Sequence, residues 1–326
     1  MPKINLLVIS ARQHPALRNL APLRDLSDIT VTDNQAELEE LAPAAEVIVL
    51  SGLTNKPVNY SDIWKRAKST RWVHSLSAGV EMYLSPELVE SDATLTNARG
   101  VFKRPLAEFA LLGILFHFQN ARRMLVSQRQ RKWDNFQVKS AQGRVLGIVG
   151  FGEIGRECAL LAKGLGLTIH AVRRHPDRSA YDSLADRIFK LEELHQMLAE
   201  VDVLLCAAAL TPETYHMIGD GEFRVMKPSA IVINVSRGSV IDEAAMVRAL
   251  QNNSIAGAAL DVFEKEPLPD DSPLWSMDNV IISPHFLDQT ENLDQIDASM
   301  RVFVDNFFRY LNGVALTNIV NKEAGY

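Results

Sequence analysis

The chain has 326 residues, enough for about two domains at roughly 150 residues each. Its 47% hydrophobic and 23% charged residues match an ordinary globular protein, which excludes disordered and fibrous architectures. With 34 Lys and Arg against 40 Asp and Glu the net charge is −6, so the chain lacks the cationic excess that neutralises a phosphate backbone, and nucleic acid is not an expected partner.

An apolar run at 4–10 follows a single Lys3, and Arg12, His14 and Arg18 come next without a small-x-small cleavage site. The run therefore reads as a first buried strand rather than a signal peptide. To about residue 100, strand-like runs alternate with helix-like segments (4–9, 38–41, 47–50, 63–67, 72–76), the rhythm of parallel βαβ units. One long amphipathic helix is predicted over about 101–133, with Pro105 near its start and Leu106, Phe109, Ala110, Gly113 and Ile114 at helical spacing. Its basic end, Arg122, Arg123, Arg129, Arg131 and Lys132, is either an anion patch or a solvated face complementing the helix dipole. The apolar block 109–118 is about half the length that spans a bilayer, so no membrane role is expected.

A second α/β series runs from 144 to about 284, with strand-like segments at 145–149, 168–172, 203–206, 230–234, 257–260 and 280–282 and helices including 154–165 and 243–251. That is the pattern of a complete doubly wound nucleotide domain. Residues 293–311 close the chain as an amphipathic helix stopped by Asn312-Gly313. The nucleotide domain (102–290) is thus inserted into a discontinuous partner domain (1–101 with 291–326), and ligand is expected between them. Cys158 and Cys206 lie in apolar stretches without CxxC or Cys/His clustering, which reads as buried thiols in a reducing cytoplasm, with no metal site.

The segment 145–155 combines a strand, the turn Gly150-x-Gly152-x-x-Gly155 and a following helix. Gly150 permits the tight turn, Gly152 lets a pyrophosphate reach backbone N–H groups, and Gly155 allows close packing, with the helix N-terminus facing the phosphates. About 20 residues on, where an NAD enzyme offers an acid to the ribose hydroxyls, stand Arg173 and Arg174. A guanidinium there binds a 2′-phosphate, so NADP(H) is expected, with NAD the weaker alternative; the competing reading is two solvated loop arginines. Three further polar signals fall at strand ends: Asn234 to Gly238, Asp261 to Pro267, and Ser283-Pro284-His285. In an open parallel sheet these can converge on one crevice, where Arg, a carboxylate and His form an acid/base set.

These motifs, together with Leu210-Thr211-Pro212-Glu213-Thr214, Ala258 to Phe263 and Glu266-Pro267-Leu268, resemble the D-isomer-specific 2-hydroxyacid dehydrogenases. Ser75 to Glu81 resembles that family's substrate-carboxylate loop, and Asn97-x-x-Gly100 with Ala107-Glu108 its interdomain hinge. The resemblance implies two doubly wound parallel-sheet α/β domains, a Rossmann cofactor domain inserted into a flavodoxin-like substrate domain. It implies that Arg237 grips the substrate carboxylate and polarises the reacting carbonyl, that His285 donates the proton on reduction, and that Glu266 orients the imidazole. Cofactor contacts are implied for Glu153, Ile154, Ala208, Thr214, Val235, Ser236 and Asp261, and substrate contacts for the N–H groups of Ala78 and Gly79. The expected activity is reduction of a small 2-oxo acid such as glyoxylate or hydroxypyruvate by a homodimer; the rival is a dinucleotide-sensing, corepressor-like binding protein on the same fold.

The chain departs from the family pattern in three places. Arg173 replaces the usual acid, Phe286-Leu287-Asp288-Gln289-Thr290 is bulkier and more polar than the small residues of relatives, and Ala209 stands where Pro is frequent.

Overall fold

The computed structural model describes residues 3–173, 182–286 and 294–325. The chain divides into two compact units, one of Met1–Val101 with Gln289–Tyr326, the other of Phe102–Asp288.

In chain order the first unit contributes β1 (Ile4–Ile9), β2 (Ser27–Thr32), α1 (Gln35–Leu41), β3 (Val47–Leu50), α2 (Tyr60–Arg66), β4 (Trp72–Ser75), α3 (Pro86–Glu90) and β5 (Thr94–Asn97). The second contributes α4 (Lys103–Phe118), α5 (Ala121–Arg129), β6 (Val145–Val149), α6 (Glu153–Gly164), β7 (Thr168–Val172), β8 (Arg187–Phe189), α7 (Leu194–Glu200), β9 (Val203–Cys206), α8 (Asp220–Val225), β10 (Ile231–Asn234), α9 (Glu243–Gln251), β11 (Gly257–Leu260) and β12 (Val280–Ile282). The chain then returns to the first unit with α10 (Asp294–Leu311).

Both sheets are wholly parallel, ordered β2-β1-β3-β4-β5 and β12-β11-β10-β9-β6-β7-β8. The first is the flavodoxin-like order, and the second reverses direction between β6 and β9, the switch point at which doubly wound sheets bind ligands. Alternation along each strand builds a core on both faces. In the first unit Leu7, Ile9, Ile48 and Leu50 pack with Leu38 of α1 and Ile63 of α2, whereas Leu6, Val8, Val47 and Val49 pack with Phe303 and Phe307 of α10. Strands buried on both sides carry near-continuous apolar runs such as Val47–Leu50, which is why they are visible in the sequence. The last residues pair on the edge of β5, with Val320 N–H donating to Leu95 O at 2.9 Å.

Two expectations need correction. The long helix over 101–133 is two helices, because Asn120 adopts φ 51° after α4 and its N–H closes on His117 O at 3.2 Å. Asn tolerates this left-handed conformation, and the apolar periodicity runs on across the break. The second sheet has seven strands rather than six, since the three-residue β8 adds to the β7 edge. Two residues of that basic end are engaged within the protein: Arg123 pairs with Asp134 at 2.7 and 3.0 Å, and Arg122 donates to Val280 O at 3.0 Å. Helix α4 lies so close to its sheet that a Cβ on Gly113 would sit 2.7 Å from Ala259 Cβ. Among the described residues no helix is long and apolar enough to cross a membrane.

His74 on β4 is fully buried against Phe303, with Nδ1 2.7 Å from Thr96 Oγ1, and burial lowers its pKa to about 3. Because the folded pKa lies below the unfolded one, near 6.5, the unfolded chain takes up the proton first. Stability is therefore intact above that upper value and falls as pH drops through the window toward the lower one. Urea unfolding at stepped pH should show the wild type losing up to about 1.4 kcal/mol per pH unit more than His74→Asn across it; parallel curves would contradict this.

Candidate active site

The parallel register aligns the strand ends of the second sheet. Val172, Val149, Cys206, Asn234, Leu260 and Ile282 stand in one row across β7, β6, β9, β10, β11 and β12. The ladder continues one residue beyond the strands: Gly150 N–H donates to Val172 O (3.1 Å), Ala207 to Val149 O (2.8 Å), Val235 to Cys206 O (3.2 Å), Asp261 to Asn234 O (3.1 Å) and Ser283 to Leu260 O (2.8 Å). Each functional segment expected from the sequence of this unit therefore starts from a fixed point on one edge.

The glycine turn occupies the switch point. Gly150 has φ 94°, and a Cβ there would lie 2.5 Å from Ala208 N; a Cβ on Gly155 would lie 2.4 Å from Gly150 O. At Gly152 the space a Cβ would fill meets no protein atom within 4 Å. Gly152 is the N-cap of α6 and has no side chain to satisfy the first helical N–H groups, so the turn is a cradle whose donors point outward under a positive helix end. Glu153 turns its carboxylate to Lys103 (3.7 Å), which leaves the backbone of Glu153 and Ile154 as the donors at this helix end. These residues fit a dinucleotide pyrophosphate. Arg173, half-buried, follows β7 directly beside the turn, while Arg174 and residues 287–290 lie outside the described residues.

After β9, Ala208 backs Gly150, and Thr214 closes its own loop: its Oγ1 accepts from Thr211 N–H and donates to Ala209 O, both at 2.7 Å. After β10 the buried Asn234 shapes the turn that carries Arg237. Its Oδ1 accepts from Ser236 N–H (3.1 Å) and Ser236 Oγ (2.8 Å), and its Nδ2 donates to Arg237 O (3.0 Å). Val235 and Ser236 are buried in this turn, and the Arg237 guanidinium donates to Ser236 O at 2.8 Å. Gly238 is pressed on the next segment so tightly that a Cβ would lie 1.9 Å from the carbonyl carbon of Phe263.

That segment, 261–266, carries the acid. Glu266 Oε1 accepts from Phe263 N–H at 2.9 Å, and Oε2 lies 2.6 Å from His285 Nδ1. From behind, Glu264 and Glu243 each accept the other's backbone N–H (3.0 and 3.1 Å), with His216 Nε2 2.7 Å from Glu264. Burial, reinforced by the Glu264 charge, raises the Glu243 pKa. Asp261 is buried at the start of the segment, and His285 follows β12 two residues past the buried Ser283.

The structure thus brings Glu266 and His285 into contact and sets Arg237, Asp261 and the glycine turn along the same edge. Ala78 and Gly79 belong to the other unit, at the carboxyl edge of its five-stranded sheet, where Asn97 Nδ2 donates to Ala78 O at 2.6 Å. Two residues given no role in advance, Asn234 and Ser283, are buried and bond within these loops, Asn234 to Ser236 and Arg237 O and Ser283 Oγ to Asp261 Oδ1; their signal was a polar residue closing an apolar strand, a place where only a partnered group is tolerated. Among the described residues no group of three or more His, Cys, Asp or Glu could hold a metal ion.

Comparison with known proteins agrees with this layout. Residues 111–286 match the model of the D-isomer specific 2-hydroxyacid dehydrogenase, NAD binding domain. A glyoxylate reductase from Korarchaeum cryptofilum is 32% identical over 308 residues, 87% of this chain and 88% of that protein. Among solved structures, a D-isomer specific 2-hydroxyacid dehydrogenase family protein from Aeromonas salmonicida is 30% identical with TM-score 0.84, covering 98% of this chain and 100% of that one. A D-isomer specific 2-hydroxyacid dehydrogenase from Xanthobacter autotrophicus, in complex with NADPH and MES, is 26% identical with TM-score 0.84 and full coverage of both chains, 100% each.

Proposed function

The chain belongs to the D-isomer specific 2-hydroxyacid dehydrogenase family, and from that premise we propose that it reduces a small 2-oxo acid, such as glyoxylate or hydroxypyruvate, to the D-2-hydroxy acid with NADPH. The observation that carries this reading is the His285–Glu266 contact at 2.6 Å on the sheet edge that also holds the glycine cradle.

The second unit takes the dinucleotide through the Gly150–Gly155 turn, the backbone of Glu153 and Ile154, and the segments holding Ala208, Thr214, Val235, Ser236 and Asp261. A dinucleotide held there would supply, from its reduced nicotinamide, the hydride that the carbonyl carbon accepts. Arg237 pairs with the substrate carboxylate and stabilises charge growing on the carbonyl oxygen, a task suited to a permanently charged fork. With Nδ1 committed to Glu266, His285 presents Nε2 as the proton donor to that oxygen, and the carboxylate stabilises the imidazolium before it gives up the proton. Arg173 favours NADP(H) over NAD(H) by pairing with the 2′-phosphate; the NADPH of the Xanthobacter protein supports this preference.

A cytoplasmic setting is supported by Cys158 and Cys206 both being free thiols; burial pushes each up to about 12. Leu112 and Leu115 on α4 and Met124, Leu125 and Val126 on α5 are exposed apolar residues, which supports a homodimer through these helices. Light scattering should return twice the chain mass; a monomer mass would remove the dimer.

Steady-state oxidation of NADPH with glyoxylate, hydroxypyruvate and larger 2-oxo acids tests the activity. His285→Ala should lower kcat about 10²- to 10⁴-fold, and Arg173→Ala should weaken NADPH binding while sparing NADH. Tight dinucleotide binding without turnover of any 2-oxo acid would instead favour the sensor, and equal wild-type affinities for the two dinucleotides would reject the NADP preference.

A further inference from the structure

The buried hydrogen bond between Ser283 and Asp261 closes a circuit around the proposed acid. β11 leaves the sheet at Leu260 and β12 at Ile282, neighbours in one ladder. Ser283 N–H extends that ladder to Leu260 O at 2.8 Å, and Ser283 Oγ donates to Asp261 Oδ1 at 2.5 Å, with both residues 4% exposed or less. A hydroxyl-to-carboxylate bond away from water is among the stronger neutral-to-charged contacts a protein makes.

From Asp261 the chain passes Val262 to Phe263, whose N–H is held by Glu266 Oε1; from Ser283 it passes Pro284 to His285, whose Nδ1 meets Glu266 Oε2. Two three-residue segments are therefore joined at the buried end by Ser283–Asp261 and at the exposed end by the Glu266 carboxylate. This ring has few ways to flex. Pro284 has a fixed φ, and His285 sits at φ 48°, a region disfavoured for a residue with a Cβ and sustained by its surroundings.

We propose that Ser283 is a positioning residue for the reaction: by tying the β12 exit to the β11 exit it makes His285 and Glu266 move as one body, and so sets where the imidazole Nε2 points. This rests on the reductase reading of the site. Ser283 touches neither substrate nor cofactor in this role. Its loss opens the ring at the end furthest from the solvent, leaving Arg237 after β10 and Asp261, Glu264, Lys265 and Glu266 after β11 as the charged groups on the adjacent strand exits. Proton delivery then suffers, whereas carboxylate binding by Arg237 does not.

The test compares Ser283→Ala, Ser283→Cys and Ser283→Thr with wild type as full chains with saturating NADPH. Ser283→Ala should lower kcat by about 10- to 100-fold, with KM for the 2-oxo acid little changed, and should displace the limb of the kcat–pH profile that reports His285. Ser283→Thr, which keeps the hydroxyl, should restore both. If Ser283→Ala does not fold, Ser283→Cys, near-isosteric with a weaker donor, carries the comparison. Wild-type kcat and an unmoved pH profile in a variant whose only change is a lower Tm would overturn the proposal. A second readout needs no turnover: the titration of the His285 imidazole by NMR, its signal assigned by its loss in His285→Ala. Should wild type reduce no 2-oxo acid, the reductase reading falls on its own, while coincident titration midpoints in wild type and Ser283→Ala would overturn the role of Ser283 and displaced midpoints would uphold it.

Discussion

A parallel ladder whose strands stop in one row is the constraint on which this site rests. Backbone hydrogen bonds carry Gly150, Ala207, Val235, Asp261 and Ser283 one step past β6, β9, β10, β11 and β12 as a continuation of the sheet. The loops therefore leave from points fixed by the same cooperative network that holds the core. A one-residue slip of any strand would turn its side chains to the opposite face and so could not survive in a sheet buried on both sides. Register, set by apolar packing such as Ile231 and Ile233 on one face and Val232 on the other, thereby becomes the register of the chemistry.

Beyond the ladder, crowding replaces hydrogen bonding as the source of precision. Gly238 lies against the Phe263 backbone with no room for a methyl group, and Gly150 lies against Ala208 in the same way. Each close approach locks one functional loop to the next. The Asn234 amide adds a polar pin at the root of the Arg237 turn, and the reciprocal Glu243–Glu264 contacts brace the segment that carries Glu266. Arg122 and Arg123 of α5, by contrast, find their partners within the protein and need no ligand to explain them.

Much of this was legible in the sequence because doubly buried strands are long apolar runs and because glycines that permit close approach leave a fixed spacing. The seven-stranded sheet was read one strand short, since Arg187–Phe189 is short and opens with a charge, so it carries no apolar run. β2, with alternating exposure, and β5, with its polar threonines, were hidden for the same reason. The break between α4 and α5 escaped because the apolar stripe continues across it and only the backbone of Asn120 records the turn. Arg237, Glu266 and His285 were visible as charged or polar residues just past apolar strands. Asn234 and Ser283 were visible too, but their work depends on hydrogen bonds to residues that the fold alone brings near.

On the proposed reading, one sheet edge presents the glycine cradle, the Arg237 fork and the His285–Glu266 pair to a single substrate. A crystal structure with NADP⁺ and oxamate, an unreactive 2-oxo acid mimic, tests it most directly. The Arg237 guanidinium and His285 Nε2 should lie within hydrogen-bond reach, about 2.6–3.2 Å, of the same oxamate oxygen, with the pyrophosphate at Gly152. A dinucleotide seated away from that turn, or an imidazole turned away from the bound oxamate, would contradict it.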